Sequence, residues 1–447
     1  MKIIFNTKKM VDEILNYQGT IIICGLSFRT REIINKYNLK SKITYIFDNN
    51  INLINTTYKT IPIINLQNLK KIESCLIVIC GNNNRSFYSQ IKDIQNSRII
   101  IEKEKHLSLI ENRTNLLPSD FVCNVEFPNY KKESSLDASH EFIPLLLKKL
   151  LYLNISTKTN VVYSNNNEYK KEKNTSHNSF LFSYHSYGKT VKNVIRWKEG
   201  YLSNMITFDK KGYSGWSSLC DEDIDALLQN ISQKKADNYF DTLATKYIKN
   251  NLSKYYQPDK SDFIFPQEDF VFFPLQTLND SVMQHSYMQP FKLIKQVIKI
   301  LSKQNIPLVI KKHPRCQDKE LDEYLNKQLK KGKIILFNGS IHEAIEKATT
   351  VYTINSGVGF ESLLHLKPVV SFGKSDYMSM TKSVKVLDEI KQNPFYTLTT
   401  KQEKKMKKFI YYYIDKKCLF LDDEKRLSKV IDTFVIEYLN KDRVYDK

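Results

Sequence analysis

Nowhere in the 447 residues is there a run near the roughly eighteen consecutive apolar residues that cross a bilayer. Residues 1–13 lack the long apolar core of a secretory leader. Cysteine is sparse: seven residues, at positions 24, 75, 80, 123, 220, 316 and 418, odd in number and scattered. No Cys-x-x-Cys pair occurs, so a zinc site is not expected, and reduced thiols in a cytoplasmic protein are the simplest account. Acidic residues are outnumbered 48 to 68, which leaves a net charge of +20. Such an excess suits nucleic acid, anionic lipid or an acidic substrate. No RNA-binding or zinc-finger signature accompanies it, and the 27 tyrosines do not alternate with basic residues on a platform, so nucleic acid is not an expected partner. Lysine and asparagine are plentiful throughout, and part of the charge reflects that bias. A hydrophobic content of 41% is that of a soluble globular protein, and the length allows two or three lobes.

What is present is organised around residues 270–377. Three motifs stand there, each where an apolar, β-branched run gives way to polar or small residues. The first is Phe-Pro-Leu-Gln-Thr-Leu-Asn-Asp-Ser, containing Gln276 and Asp280. The second is Val-Ile-Lys-Lys-His-Pro, centred on His313. The third is Tyr-Thr-Ile-Asn-Ser-Gly-Val-Gly-Phe-Glu-Ser, from Tyr352 to Ser362, followed by Lys-Pro-Val-Val-Ser-Phe-Gly. Between them lie helical patterns over residues 290–302, 318–330, 341–348 and 359–366. Strands alternating with helices of about ten residues predict βαβ units and a parallel sheet. In such a sheet ligands bind at the carboxyl ends of the strands.

Each motif has a chemical reading and a plainer one. Asn355-Ser356-Gly357-Val358-Gly359 is a strand-to-helix turn whose glycines let a ligand approach the backbone, and a helix start attracts phosphate. Glu361, in the first turn, suits ribose hydroxyls. Equally, Asn355 and Ser356 are ordinary helix caps and Glu361 balances the dipole. His313 alone is a structural hydrogen-bonder, but Lys311, Lys312 and Arg315 around it suit a bound phosphate or carboxylate. Asp280 near these cations stays ionised at neutral pH and is able to act as a nucleophile.

The flanks are read in order. Residues 19–105 predict a first α/β segment, with strands at 20–25, 43–47, 76–81 and 98–102. Asp48 follows Gly25 at a dinucleotide-like distance, but Gly25-Leu26-Ser27-Phe28-Arg29 lacks the further glycines of the fingerprint, and no cofactor is expected there. Residues 139–153 are apolar at helical spacing. Residues 164–179 read as a solvated loop. Residues 181–219 hold both tryptophans, Trp197 and Trp216, with His185, Arg196, Glu199, Tyr201 and Asp209 among glycine turns. Such clusters occur at sugar sites and in ordinary turn packing, and by itself Glu199 reads as an ion pair with Lys198 or Arg196. Residues 401–417 carry seven lysines beside an apolar stripe of Met406, Phe409, Ile410, Tyr413 and Ile414. The stripe packs on the fold, the patch holds the protein to the cytoplasmic face of a membrane, or both. A last helix over 422–439 is expected to cross back to the first lobe.

The motifs resemble those of the bacterial capsule-synthesis family of retaining β-Kdo glycosyltransferases. Gln276 and Asp280 stand as its Gln-x-x-x-Asp, Lys311, His313 and Pro314 as its Lys-x-His-Pro, and Asn355, Ser356, Gly359 and Glu361 as its Asn-Ser-x-x-Gly-x-Glu. The resemblance covers residues 180–380 well and the flanks poorly. It implies an α/β, GT-B-like fold, two Rossmann-like lobes with the active site in the cleft between them. Residues 1–262 would form the acceptor-side lobe, 263–400 the nucleotide-sugar lobe and 401–447 basic C-terminal helices. It implies transfer of Kdo from CMP-Kdo to a glycan or lipid-linked glycan, with retention and without a metal or other cofactor. Asp280 is then the nucleophile, Glu199 the acid/base and His313 the phosphate stabiliser. Gln276, Lys311, Lys312, Asn355, Ser356, Gly357, Gly359 and Glu361 hold the donor. His185, Arg196, Trp197, Tyr201, Asp209 and Trp216 form the acceptor side. The expected place is the cytoplasm, with peripheral association at the inner membrane. Two other readings stay open: a transferase using CMP-sialate or a UDP-sugar, and a non-catalytic scaffold of polysaccharide assembly.

Overall fold

Successive residues of the run Val271-Phe272-Phe273 bury against different neighbours: Phe272 joins one apolar cluster, Val271 and Phe273 another. A pleated strand alternates faces, and one covered on both sides reads as an unbroken apolar run. The strands Leu308–Lys311, Thr350–Thr353 and Val369–Ser371 repeat the pattern. Val309, Val351 and Val369 lie with Phe272, while Ile310, Tyr352 and Val370 lie with Phe273. In the computed structural model these strands centre a six-stranded parallel sheet. Its order is Ile335–Leu336, Leu308–Lys311, Val271–Pro274, Thr350–Thr353, Val369–Ser371 and Lys382–Ser383. The chain starts in the middle, builds outwards on one side, then returns and builds on the other. Val271–Pro274 and Thr350–Thr353 are therefore neighbours whose following connections diverge, which opens a crevice at their carboxyl ends.

The structure describes residues 2–4, 7–80, 84–94, 97–102, 117–129, 138–162, 178–259 and 261–439. The chain divides into two compact units, Met1–Leu116 and Leu117–Lys447. The first is a seven-stranded sheet, parallel except for the hairpin of Thr57–Tyr58 with Ile61–Ile64. Gly25 follows its Thr20–Cys24 strand at φ +79°, a left-handed conformation that glycine adopts without penalty. Asp48 accepts hydrogen bonds from Leu26 N–H at 2.7 Å and Asn50 N–H at 2.8 Å. The aspartate that the spacing offered to a ribose thus braces its own turn and the one after Gly25.

The second unit holds the parallel sheet already described and a second six-stranded sheet. The latter runs Cys418–Phe420, Met205–Asp209, Val194–Glu199, Ser179–Tyr184, Val122–Pro128, Ser156–Val162. Its four strands from Val194–Glu199 to Ser156–Val162 are parallel, and the two at the other edge are added antiparallel. The strands from Val122 to Asp209, which the sequence grouped with residues 1–116, thus belong to the same unit as the parallel sheet of Val271–Pro274.

The C-terminal segment ties the two sheets together. Helix Thr400–Lys417 buries Met406, Phe409, Ile410, Tyr413 and Ile414 in the cluster that covers Phe272. The stripe packs on the fold, one of the two readings given for this segment. Lys405, Lys407, Lys416 and Lys417 pair with acidic side chains. The chain then crosses to the other sheet through Cys418–Phe420, as expected for the tail, and helix Glu424–Leu439 follows. The loop read over 164–179 lies almost wholly outside the described residues.

Phe434 anchors that last helix. Its ring stacks on Phe180 at 5.1 Å and meets Phe182 at 5.3 Å. Phe434→Ala is expected to lower the unfolding free energy by about 3 kcal/mol, the usual cost of emptying a buried aromatic site. Urea denaturation followed by circular dichroism measures it.

Candidate active site

Two amides bridge the crevice. Gln276 follows the Val271–Pro274 strand and Asn355 follows Thr350–Thr353. Gln276 Nε2 donates to Asn355 Oδ1 at 3.0 Å, and Asn355 N–H returns a bond to Gln276 Oε1 at 3.2 Å. Asn355 Nδ2 donates to the carbonyls of Val282, at 2.8 Å, and Lys374, at 3.3 Å. Both side chains are buried. Asn355 therefore holds three loops together: its own, the turn after Asp280 and the turn before Asp376. An amide with its acceptor and both donor directions occupied is architecture beside a ligand rather than a hand reaching for one.

Above these amides lies a cleft of about 370 Å³, within the size range of small-ligand sites. One wall comes from the segments that follow the strands of the parallel sheet. Asp280 caps the turn Ser281–His285, its Oδ1 accepting from Val282 N–H at 3.2 Å, and this cap turns the carboxylate to the cleft. His313 Nδ1 accepts from Arg315 N–H at 3.1 Å. Burial, then Arg315, outweighs Asp280 and holds the ring's pKa below its ordinary value. The ring is then neutral at pH 7, and with Nδ1 accepting, Nε2 carries the proton. Ser356 caps helix Gly357–Leu364 by accepting from Val358 N–H at 3.2 Å.

The glycines of that turn have another use than the one expected. A Cβ on Gly357 would stand 3.1 Å from the Tyr201 ring, and one on Gly359 would collide with the Tyr377 hydroxyl. Their missing side chains admit two tyrosines rather than a ligand. Gly359 does not line the cleft, while Gly357 does. The two lysines beside His313 reach the cleft but have partners of their own. Lys311 Nζ donates to the Asn338 and Gly339 carbonyls at 3.2 and 2.6 Å. Lys312 pairs with Asp322 at 2.6 Å.

Glu361 is buried on the cleft wall, and its Oε1 has no hydrogen-bond partner among the described residues. Burial raises its pKa to about 8, against the opposing pull of the Ser253 hydroxyl and Lys254. A buried carboxyl with one open oxygen is suited to receive a hydroxyl donor.

The opposite wall comes from the end of Val194–Glu199. Glu199 lines the cleft and accepts from the Tyr184 hydroxyl at 3.0 Å. Tyr201 lines it too, and donates to Asp376 at 2.6 Å. The remaining residues expected on the acceptor side are elsewhere. Trp197 is in the core, its Nε1–H on the Glu126 carbonyl and its ring against Phe142 and Tyr184. Arg196 is buried and donates to the carbonyls of Lys189 and Lys210. Asp209 gathers Lys211 N–H, Gly212 N–H, the Ser217 and Ser218 hydroxyls and Lys417 into one knot. Burial opposes its ionisation, but Lys417 and these N–H groups prevail and its pKa is lowered. Trp216 stacks on Tyr187 at 3.9 Å, and His185 supports Lys198 from behind. Asp209 and Trp216 pack turns, the plainer reading given above, while Arg196 and Trp197 are buried within their own strand.

Four contributors went unread. Lys198 lies within electrostatic reach of Asp280, Glu199 and Lys254, its Nζ 3.0 Å from His185 Nε2. It also stands over the Tyr213 ring at 4.4 Å. Burial lowers its pKa, and the two carboxylates pull the other way. Its position beside Glu199 was the available signal. Lys254 and Tyr255 come from an irregular segment with no motif. Asp376 accepts from both Tyr201 and Tyr413. Burial lifts its pKa to about 6 despite these bonds.

Residues 233–381 match the family model described as capsule polysaccharide biosynthesis protein. That segment contains all three motifs on which the resemblance rests. No curated protein matches the chain by sequence. Among solved structures, the chain is similar to the β-Kdo 2,7 transferase of Thermosulfurimonas dismutans KpsC. Identity is 17%, 70% of this chain and 100% of that one are covered, and the TM-score is 0.38. The β-Kdo 2,4 transferase of the same organism's KpsC gives 15% identity, 64% and 89% coverage and a TM-score of 0.39. The UDP-GlcNAc 2-epimerase of Methanocaldococcus jannaschii gives 11%, 93% and 99%, with a TM-score of 0.23.

The raised pKa of Glu361 has a sign. A carboxyl that holds its proton more tightly folded than unfolded makes the fold less stable as pH rises from 4.5 towards about 8. Glu361→Gln removes that dependence. Melting temperatures recorded across this interval should slope downwards less in the variant than in the wild type; equal slopes would place the titration elsewhere.

Proposed function

We propose that the protein is a glycosyltransferase of surface-polysaccharide synthesis that transfers Kdo from CMP-Kdo to a glycan or lipid-linked glycan with retained configuration. One observation carries this reading. Asp280, His313 and Glu361, from two loops and one helix of the family-matched segment, share a cleft with Glu199 from the facing sheet. Nucleophile, leaving-group stabiliser, ribose acceptor and acid/base then stand around one donor.

In the first step a carboxylate oxygen of Asp280 attacks the anomeric carbon. The bond from that carbon to the phosphate oxygen breaks, and CMP leaves with the electron pair. The neutral His313 donates a hydrogen bond from Nε2 to the departing phosphate. In the second step Glu199 takes the proton of an acceptor hydroxyl, whose oxygen displaces Asp280 and restores its carboxylate. Two inversions give retention, as in retaining glycosidases. Glu361 accepts from the ribose hydroxyls through its open oxygen. Because hydroxyl donors favour its ionised form, nucleotide binding releases a proton below about pH 8.

The test is intact-protein mass spectrometry after brief exposure to CMP-Kdo without acceptor. A single Kdo adduct is expected on the peptide carrying Asp280, and none on Asp280→Asn. Glu199→Gln should still form the adduct while transfer to acceptor slows roughly 10²- to 10⁴-fold, the usual worth of a general base. Neither adduct nor hydrolysis from CMP-Kdo, with turnover of CMP-sialate or a UDP-sugar instead, would move the donor assignment to that sugar.

A further inference from the structure

We infer that Lys254 is the cation that grips the donor's phosphate, an assignment that rests on the nucleotide-sugar reading above. The lysines next to His313 are the obvious candidates, yet Lys311 is held by two carbonyls and Lys312 by Asp322. Lys198 hydrogen-bonds His185. Among the described residues, Lys254 is the one lysine of the cleft with no hydrogen-bond or ion-pair partner.

Its position is fixed by its neighbours in the chain. The segment around it has no regular secondary structure but is pinned on both sides. The Leu252 carbonyl accepts from His342 Nε2 at 2.8 Å, and Gln257 Oε1 accepts from Ile341 N–H at 2.9 Å. Asn251 bonds the Ser340 hydroxyl and, at 2.7 Å, the Pro258 carbonyl. Between these pins Ser253, Lys254 and Tyr255 all line the cleft. The Ser253 hydroxyl is near enough to the Glu361 carboxyl to favour its ionised form, and the Tyr255 ring meets His313 edge-on at 5.1 Å. Lys254 therefore stands between the group proposed for the ribose and the group proposed for the leaving phosphate. A 5′-phosphate has to lie between those two.

Electrostatics point the same way. Lys254 is close enough to Lys198, His185 and His313 to disfavour a positive charge on each. Asp280, Glu199 and Glu361 offset part of this crowding, and a phosphate bound at Lys254 would relieve it further. A lysine ammonium is a compact point charge with rotatable donors, suited to a phosphate that must leave with its nucleotide after each turnover.

The experiment is calorimetric titration of the full chain with CMP and cytidine, and with UMP and uridine, for wild type, Lys254→Met and Lys254→Arg. Lys254→Met is expected to weaken binding of the preferred monophosphate by about tenfold or more, the worth of a charge-assisted hydrogen bond. Binding of the nucleoside should not change, and Lys254→Arg should retain most of the phosphate-dependent gain. Equal weakening of nucleotide and nucleoside, or no change with CMP, overturns the assignment while leaving the donor reading intact. If Lys254→Met fails to fold, Lys254→Gln replaces it in the same comparison. Wild type binding none of the four ligands sinks the donor reading, and this assignment with it.

Discussion

The reciprocal amide bond between Gln276 and Asn355 is the interaction on which the cleft depends. Two parallel strands whose connections part at their carboxyl ends leave backbone groups facing a gap. Gln276 and Asn355 close that gap from within, and Asn355 extends the lock to the Val282 and Lys374 carbonyls. Asp280 and Asp376 sit on the loops thus held. Asp280 is turned by its cap on Ser281–His285 and Asp376 by the Tyr201 and Tyr413 hydroxyls, while the loops under both are held by buried amides whose loss would leave several polar groups unpaired at once.

The second constraint is the joining of two sheets. Tyr201 from one side, Asp376 from the other and Tyr413 from helix Thr400–Lys417 meet in one set of hydrogen bonds at 2.6 and 2.9 Å. Gly357 and Gly359 are small so that Tyr201 and Tyr377 can approach. The tail then adds its own strand to the far sheet. The walls of the cleft are thus fixed to each other through its floor, and the irregular segment carrying Lys254 is pinned across one side. A site built this way has its charged groups in position before any ligand enters, which reduces the ordering that binding must impose.

Much of this was legible in the residues. The parallel sheet followed from apolar runs alternating with helical patterns. Its active end followed from polar residues at the ends of those runs, and Asp280, His313 and Glu361 do share one cleft. What failed to read through was the use of residues whose chemistry fits two purposes. Arg196, Trp197 and Asp209 have the composition of a sugar site, yet they are buried among carbonyls, rings and N–H groups of their own sheet. Gly359 has the look of a phosphate turn and serves a tyrosine. Lys311 and Lys312 have the look of anion holders and are already held.

The sequence by itself determined the strand order's raw material, the helix caps and the loops at which polar groups emerge, because those depend on spacing and on residues a few positions apart. Only the tertiary structure decided which polar groups remain open to a ligand. That depends on partners brought from far along the chain: Asn355 is satisfied by Gln276, 79 residues away, and Asp209 by Lys417, 208 residues away. A side chain's hydrogen-bonding capacity is finite. Whether it is filled by the protein or left for a substrate is settled by packing, which local pattern does not record.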